Sequence, residues 1–294
     1  MRIPQLHVGN GTDLSGITVF PVWTSATPIR GLVTGAAAQV EVGELTDGPS
    51  VPWLELSNRG ARPALMLEGE LLEGGWQSRA LVRDVILAPH SRGRVAVACV
   101  EQGRWGGGGG HERRLRRATP LVQRALRVPE HERQSRVWSD IERYQSMAHS
   151  PTSSLVDQLG ALEADHLIQH QPLPTLPGQS GVLIALGDQP LGLELFGSPA
   201  ALTQHLPAIV QAARMDAMMA VGPHAEPAPG RRARRMAARL ELIDIFTGQE
   251  DAGFGISMIA ETPKLWVRGV ATHDGRIAHL SALNITHPLL ELTS

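Results

Sequence analysis

Between residues 17 and 101 the chain runs through six short apolar stretches separated by Gly, Pro and Asn, and leaves no room between them for a crossover helix. The stretches are Ile17 to Trp23, Ala37 to Leu45, Val51 to Ser57, Ala64 to Glu70, Arg79 to Leu87 and Arg94 to Glu101, each with period-two character. Parallel strands need a connection of a dozen or more residues, so a chain of this kind is confined to antiparallel pairing. An antiparallel sheet or sandwich, built as a meander, is expected for residues 1–105.

The pattern changes at Gly106 to Gly110, five consecutive glycines. From His111 to Arg136 there follow eight arginines against Glu112, Glu130 and Glu132, a local net charge of +5 in a chain whose total is −2. Such a stretch reads either as an anion-binding arm or as a solvated connector whose arginine stems cover apolar neighbours, the commoner outcome.

Helical spacing then takes over. Val137, Ile141 and Tyr144 mark a helix over Gln134 to His149, and Ser154 with Asp157 forms a capping-box pattern ahead of Leu155, Leu159 and Leu162. Three prolines between Gln171 and Gly178 deny helix or central strand and mark an internal boundary. Beyond it, Val182 to Leu186 and Leu191 to Phe196 read as a hairpin, and Ser198-Pro199 opens a helix with the buried stripe Leu202, Leu206, Ile209, Val210 and Ala213. Arg231 to Phe246 reads as a further helix, and Ile256 to Glu261, Leu265 to Ala271 and Arg276 to Leu283 as closing strands. Strand runs and helix runs are segregated, so the expected class is α+β: a β-rich section (1–105), a Gly/Arg-rich connector with helices (106–178), and a mixed section (179–294) packed back on the first. One compact unit is expected, with two subdomains as the alternative.

Composition excludes broad classes only. At 294 residues, 42% hydrophobic and 19% charged, the chain can bury a core, and no apolar run approaches the ~18 residues of a membrane span. A single cysteine, Cys99, forbids an intrachain disulfide and a multi-cysteine zinc site; with no secretory pattern at Met1 to Leu6, a cytoplasmic setting is expected. The net charge argues against nonspecific nucleic-acid binding.

The most informative segment is Leu67 to Arg79. If Ala64 to Glu70 rises and Arg79 to Leu87 descends, the next strand climbs back to deliver Glu101, Gln102 and Arg104 beside Glu70, Gln77 and Arg79, with Trp76 and Trp105 at their side. That end of the sheet would hold two carboxylates, two guanidiniums, two amides and two aromatic plates. Arginine offers a donor fork for phosphate or carboxylate, tryptophan a stacking surface, and paired carboxylates can divide acid and base roles. An anionic, sugar-containing, nucleotide-like ligand would use all of them. The competing reading is structural: Glu70 pairs Arg79, Glu101 pairs Arg104, and the tryptophans are lids on the core.

Several of these elements also carry a resemblance. Gly69-Glu70 with Gln77-x-Arg79, Cys99 to Trp105, Val137 to Ile141, Ser150-Pro151-Thr152, Leu193 to Ser198 and Asp274 to Leu280 together resemble the ARG/rhodanese/phosphatase superfamily-associated protein family, over about Gly43 to Leu283. The resemblance implies an association with NAD-consuming, ADP-ribose-related systems and the binding or processing of ADP-ribosyl derivatives, and it points to Glu70, Gln77, Arg79, Glu101, Arg104 and Trp105. The chain departs from the pattern at Trp76, where a basic residue is usual, at Ser78, which replaces an amide, and in the glycines after Trp105.

Other motifs carry less. The glycine run lacks the Lys-Ser or Lys-Thr of a phosphate loop. His166 and His170 have metal-compatible spacing but no His-Glu-x-x-His, and no metal ligand set is assigned. Cys99 sits in an apolar strand as a packing residue, His279 reads as a satisfied core histidine, and the arginines from Arg231 to Arg239 as a charged solvent face. The leading expectation is a protein that binds or hydrolyses an ADP-ribose-type ligand, with Glu70 and Glu101 as acid and base and Trp76, Gln77, Arg79, Gln102, Arg104 and Trp105 as the binding groups. The rival is a noncatalytic, homo-oligomeric assembly protein in which the Glu/Arg pairs are structural. No cofactor is assigned.

Overall fold

A computed structural model describes residues 1–14, 16–145, 152–164, 173–220, 226–248 and 253–291. His166, His170, Ser150, Pro151 and the start of the proline-rich segment lie outside them.

The chain is α+β. Its first half carries β1 (Leu6–Val8), β2 (Thr12–Leu14), β3 (Ile17–Thr24), β4 (Val33–Thr34), β5 (Val40–Gly43), β6 (Trp53–Asn58), β7 (Ala64–Met66), β8 (Leu71–Gly74), β9 (Arg79–Leu81), β10 (Val85–Leu87), β11 (Arg92–Cys99) and β12 (Gly110–Glu112). The helices α1 (Pro120–Leu126), α2 (Glu130–Glu142) and α3 (Leu155–Ala164) follow, then β13 (Gly181–Leu186) and β14 (Gln189–Phe196). The chain continues through α4 (Pro199–Ala220), α5 (Gly230–Glu241), β15 (Phe246–Gly248), β16 (Ile256–Glu261), β17 (Leu265–Ala271) and β18 (Ile277–Asn284).

The strands form three assemblies rather than one meander. The described C-terminal strands β13 to β18, with β1 and β3, make a large antiparallel sheet in the order β1-β3-β13-β14-β18-β17-β16-β15; β10-β7-β4 form a small sheet in which β4 runs parallel to β7, against the expected antiparallel pairing; and β11-β6-β5-β12-β8-β9 close into a barrel. The predicted first strand, Ile17 to Trp23, therefore leaves the N-terminal section and pairs with β13, Val22 opposite Gly181. Both of its faces are covered. Ile17 and Val19 join Ile184 and the α4 residues Leu202, Leu206 and Ile209, while Phe20 and Val22 pack with Leu183 and the α5 residues Ala233, Met236 and Leu240. The expected α4 stripe is buried throughout.

Two predicted strands are broken. Gly69 takes a positive φ of 78°, and the Glu70 N–H turns back to the Leu67 carbonyl. The predicted strand Ala64 to Glu70 thus ends early, as β7 in the small sheet, and β8 in the barrel forms from the residues after it, where a connection was expected. Arg79 to Leu87 is split into β9 and β10. The barrel interior is apolar at its middle, where Val42, Leu56, Leu72, Leu81, Val95 and Val97 meet.

Four arginines of the arginine-rich stretch are taken up in buried ion pairs rather than left to solvent, while Arg114 stays exposed. Arg113 pairs Glu70, Arg117 pairs Glu194, Arg124 pairs Asp140 and Arg127 pairs Glu68, all with side chains at or near full burial. Thr119 caps α1 by accepting from the Val122 N–H at 3.3 Å, ahead of Pro120.

Candidate functional site

One end of the barrel is polar. Side chains alternate across a strand, so the positions following Leu81, Val97 and Val42 on their inward face are Arg79, Cys99 and Glu44. His111 enters from β12, where it pairs with Val42 and Gly74. Its Nε2 lies 3.2 Å from Glu44 Oε1, which also accepts from the Trp76 N–H at 3.1 Å. Burial, only partly offset by Glu44, holds the His111 imidazole below its ordinary pKa.

Over this end lies the loop from Glu101 to Gly110. Glu101 Oε2 accepts from the Ser78 N–H at 2.9 Å, and Gln77 Nε2 donates to the Glu101 carbonyl at 3.4 Å. Arg104 donates from Nε and Nη2 to the two carboxylate oxygens of Glu101, at 2.6 Å each. The same guanidinium also reaches the carbonyls of Gly74, Gly75 and Gly106. Burial raises the Glu101 pKa, but the hydrogen bonds from Arg104 and Ser78 outweigh it and hold the carboxyl ionised. Trp76 and Trp105 meet edge to face with ring centroids 5.4 Å apart, and Trp105 is 50% exposed. At Gly107, with φ 147°, a Cβ would approach the Gly75 carbonyl to 2.4 Å, so the glycine run can cross the barrel rim closely there.

Arg79 is the anomaly. It is 0% exposed, and none of its three guanidinium nitrogens has a hydrogen-bond partner among the described residues. Burial pushes its pKa below the ordinary arginine value, against the pull of Cys99, Glu44 and Glu101. A guanidinium stays protonated under such conditions, so a fixed positive charge waits inside the barrel end. Glu44 Oε2 is buried and unpartnered beside it. Cys99 is a poor nucleophile: burial raises its thiol pKa, and Sγ donates to the Glu101 carbonyl at 3.2 Å.

Of the expected site residues, Trp76, Gln77, Arg79, Glu101, Arg104 and Trp105 come to this end. Gln102 is exposed on the same loop, its N–H on the Ser153 carbonyl at 3.4 Å. Glu70 is not among them. Its carbonyl faces Leu81 at the far end of the β8–β9 hairpin, and its carboxylate accepts from Arg113 Nε at 2.9 Å. The expected convergence of Glu70 with Glu101 is thus not found, because the Gly69 turn starts β8 at Leu71 and leaves Glu70 a strand length below the mouth. Neither does Glu70 pair Arg79. Glu44 and His111 escaped the sequence reading, although the alternation Val40, Val42, Glu44 carried the signal for the first.

The family model of the ARG and Rhodanese-Phosphatase-superfamily-associated Protein domain matches residues 5–283. The chain belongs to this family. No curated protein and no solved structure matches it. The family's name links the chain to ADP-ribose-related systems. Of the elements that carried the resemblance to the family, Cys99 to Trp105 lies in the mouth, as does the Gln77-x-Arg79 half of another, whose Gly69-Glu70 half lies at the far end of the hairpin. Two others meet in the large sheet, where Phe196 pairs with His279.

That second meeting is a closed ion network. His279 Nδ1 is 2.7 Å from Asp84 Oδ2, its Nε2 is 2.8 Å from Glu194 Oε2, and Arg117 Nη1 donates to the same oxygen at 2.7 Å. Burial alone would depress the His279 pKa, but the two carboxylates raise it to about 9. Burial alone would raise Glu194, but Arg117 and His279 bring it down to about 2. The network joins the small sheet's flank to the large sheet and contains the satisfied core histidine expected from sequence. Among the described residues no group of three or more His, Cys, Asp or Glu is placed to hold a metal ion, and no helix is long and apolar enough to cross a membrane.

Proposed function

We propose that the barrel mouth binds an ADP-ribose-type ligand. Arg79 would seat the pyrophosphate or a ribose oxygen, and Trp105 with Trp76 would cover a ring. The single observation that carries this reading is the buried, unpartnered guanidinium of Arg79. A buried charge without a partner is strongly destabilising, and an anion entering at the mouth would supply the missing acceptors. The surrounding groups suit recognition better than hydrolysis by a carboxylate pair. Glu101 is held ionised and committed to Arg104, which leaves it an acceptor for ribose hydroxyls from its remaining lone pairs, and Glu70 serves Arg113. Arg104 ties the loop together, with Gln77 and Gln102 on the rim. A lone, buried thiol supports the expectation of a reducing, cytoplasmic setting.

Titration calorimetry with ADP-ribose tests the proposal. Heat of binding is expected from the native chain and none from Arg79→Met, with Trp105→Ala about tenfold or more weaker, the scale of one lost ring stack. Absence of heat from folded native protein at millimolar ligand would end the reading. The assembly alternative is favoured by one observation: Phe246 and Ile259 are exposed opposite each other at the β15 edge of the large sheet. Sedimentation of the native chain against Phe246→Glu decides it.

A further inference from the structure

A second concave surface lies away from the barrel, between α5 and the ends of β14, β17 and β18. It is a groove of about 310 Å³ lined by Arg232, Arg235, Arg239, Lys264, Asn284 and Thr286, with Met236 and Leu265 in its floor. The helix explains the arrangement. Ala233, Met236, Ala237 and Leu240 bury one stripe of α5 against the large sheet, and this turns positions 232, 235 and 239, spaced at one and two turns, to the groove side.

The cations differ in their commitments. Arg232 is bound to Asp188, through both the carboxylate and the carbonyl. Asn284 is spent on the Pro190 carbonyl and on Thr286, which stiffens the rim. Arg235, Arg239 and Lys264 have no carboxylate or other side-chain partner among the described residues, and no acidic residue lines the groove. Three uncompensated cations around one concavity raise its potential well above that of a scattered charged face. Lys264 is also the only lysine of the chain.

We propose that this groove is a binding site for a compact polyanion of the pyrophosphate class, separate from the barrel mouth. Its volume suits one small molecule. With no aromatic ring in the lining, the site reads the phosphate groups and makes no stack on a base, so an extended nucleic acid has neither a track nor a plate to lie on. Two forks and an ammonium match a group carrying at least two separated negative oxygens.

The sole lysine makes a direct test. The intact chain is treated with an amine-acetylating reagent with and without inorganic pyrophosphate, and Lys264 acetylation is followed by mass spectrometry. Pyrophosphate should slow modification of Lys264 several-fold and leave the amino terminus as internal control; an unchanged Lys264 rate at saturating pyrophosphate overturns the proposal. Calorimetry with pyrophosphate and with ADP separates the sources: equal affinities mean that the site takes the phosphates alone, whereas tighter ADP binding means a nucleoside diphosphate. In either case Arg235→Gln/Arg239→Gln should weaken the protection of Lys264 by pyrophosphate about tenfold or more through the loss of two charge-assisted contacts, a readout local to the groove that an anion bound at the barrel mouth does not move. Undiminished protection of Lys264 in the double variant would mean that the groove arginines do not hold the anion, and would sink the proposal. Both substitutions are on exposed side chains, and melting curves confirm that the variant is folded.

Discussion

Glu70 and Glu101 stand at opposite ends of one hairpin. The Glu70 carbonyl accepts from the Leu81 N–H at 3.1 Å where the hairpin opens, and the Glu101 carboxylate accepts from the Ser78 N–H at 2.9 Å beside its turn. The two acids therefore serve different arginines, and substituting them has separable consequences. Glu70→Gln deprives the buried Arg113 of its counter-charge, though the Ala38 and Gly35 carbonyls remain. Stability should fall by roughly 3 kcal/mol in urea denaturation while ADP-ribose affinity stays within twofold of native.

Glu101→Gln acts on the mouth itself. Arg104 is 36% exposed at its side chain, so water takes over part of the lost pairing, and the stability loss should be only about 1 to 2 kcal/mol. The loop carrying Trp105 loses its anchor, however, and ligand affinity should drop with it. Intrinsic tryptophan fluorescence should report the change, since Trp76 and Trp105 share one contact. A variant with native affinity and an unaltered emission spectrum would contradict the anchoring role.

Arg79→Met should move stability and binding in opposite directions. Replacing an unpartnered buried guanidinium by an apolar chain of similar length removes a desolvation penalty, so the ligand-free protein should gain about 1 to 3 kcal/mol while ADP-ribose binding disappears. A structural arginine would show the reverse sign in the melting temperature.

The buried histidine gives stability a pH signature. His279 titrates near 9 in the fold against about 6.5 when unfolded, so its contribution is complete below about pH 6.5 and is lost as pH rises through 9. The stability gap between native and His279→Gln should therefore be widest near pH 6, on the order of 3 kcal/mol, and should close toward pH 9 to 10. Parallel urea titrations across that range would measure it, and a pH-independent gap would refute the linkage.

Gly75 has φ 58°, and a Cβ there would meet His111 Nε2 at 2.1 Å. Gly75→Ala combines backbone strain with displacement of the imidazole from Glu44. A loss of about 2 to 3 kcal/mol is expected, along with weaker ligand binding, because Glu44 also holds the Trp76 N–H. Retained stability in Gly75→Ala would mean that the ring swings away without cost.

The alternation of Leu54 with Leu56, and of Val95 with Val97, was open to reading because it is a local property with a period of two, and so was the stripe of α4, with its period near 3.6. The Ser154 cap and the Ser198-Pro199 helix start were legible for the same reason: their hydrogen bonds, Asp157 N–H to Ser154 Oγ and Ala201 N–H to Ser198 Oγ, span three residues. The broken strand at Gly69 was harder, since a glycine permits a positive φ without requiring one.

Sequence by itself determined the class, the order of strand and helix runs, the family, and the presence of Gln77, Arg79, Glu101, Arg104 and the two tryptophans within two short segments. Which strands pair, and which arginine meets which acid, was settled only in three dimensions. Ile17–Thr24 joins Gly181–Leu186 across the length of the chain, and Arg117, Arg124 and Arg127 each find an acid on another element. Pairing between distant segments depends on how whole faces bury one another, and a charge run looks the same in sequence whether it ends in water or in a core. The same holds for Arg79: its residue type was visible, but its lack of a partner is a property of everything packed around it.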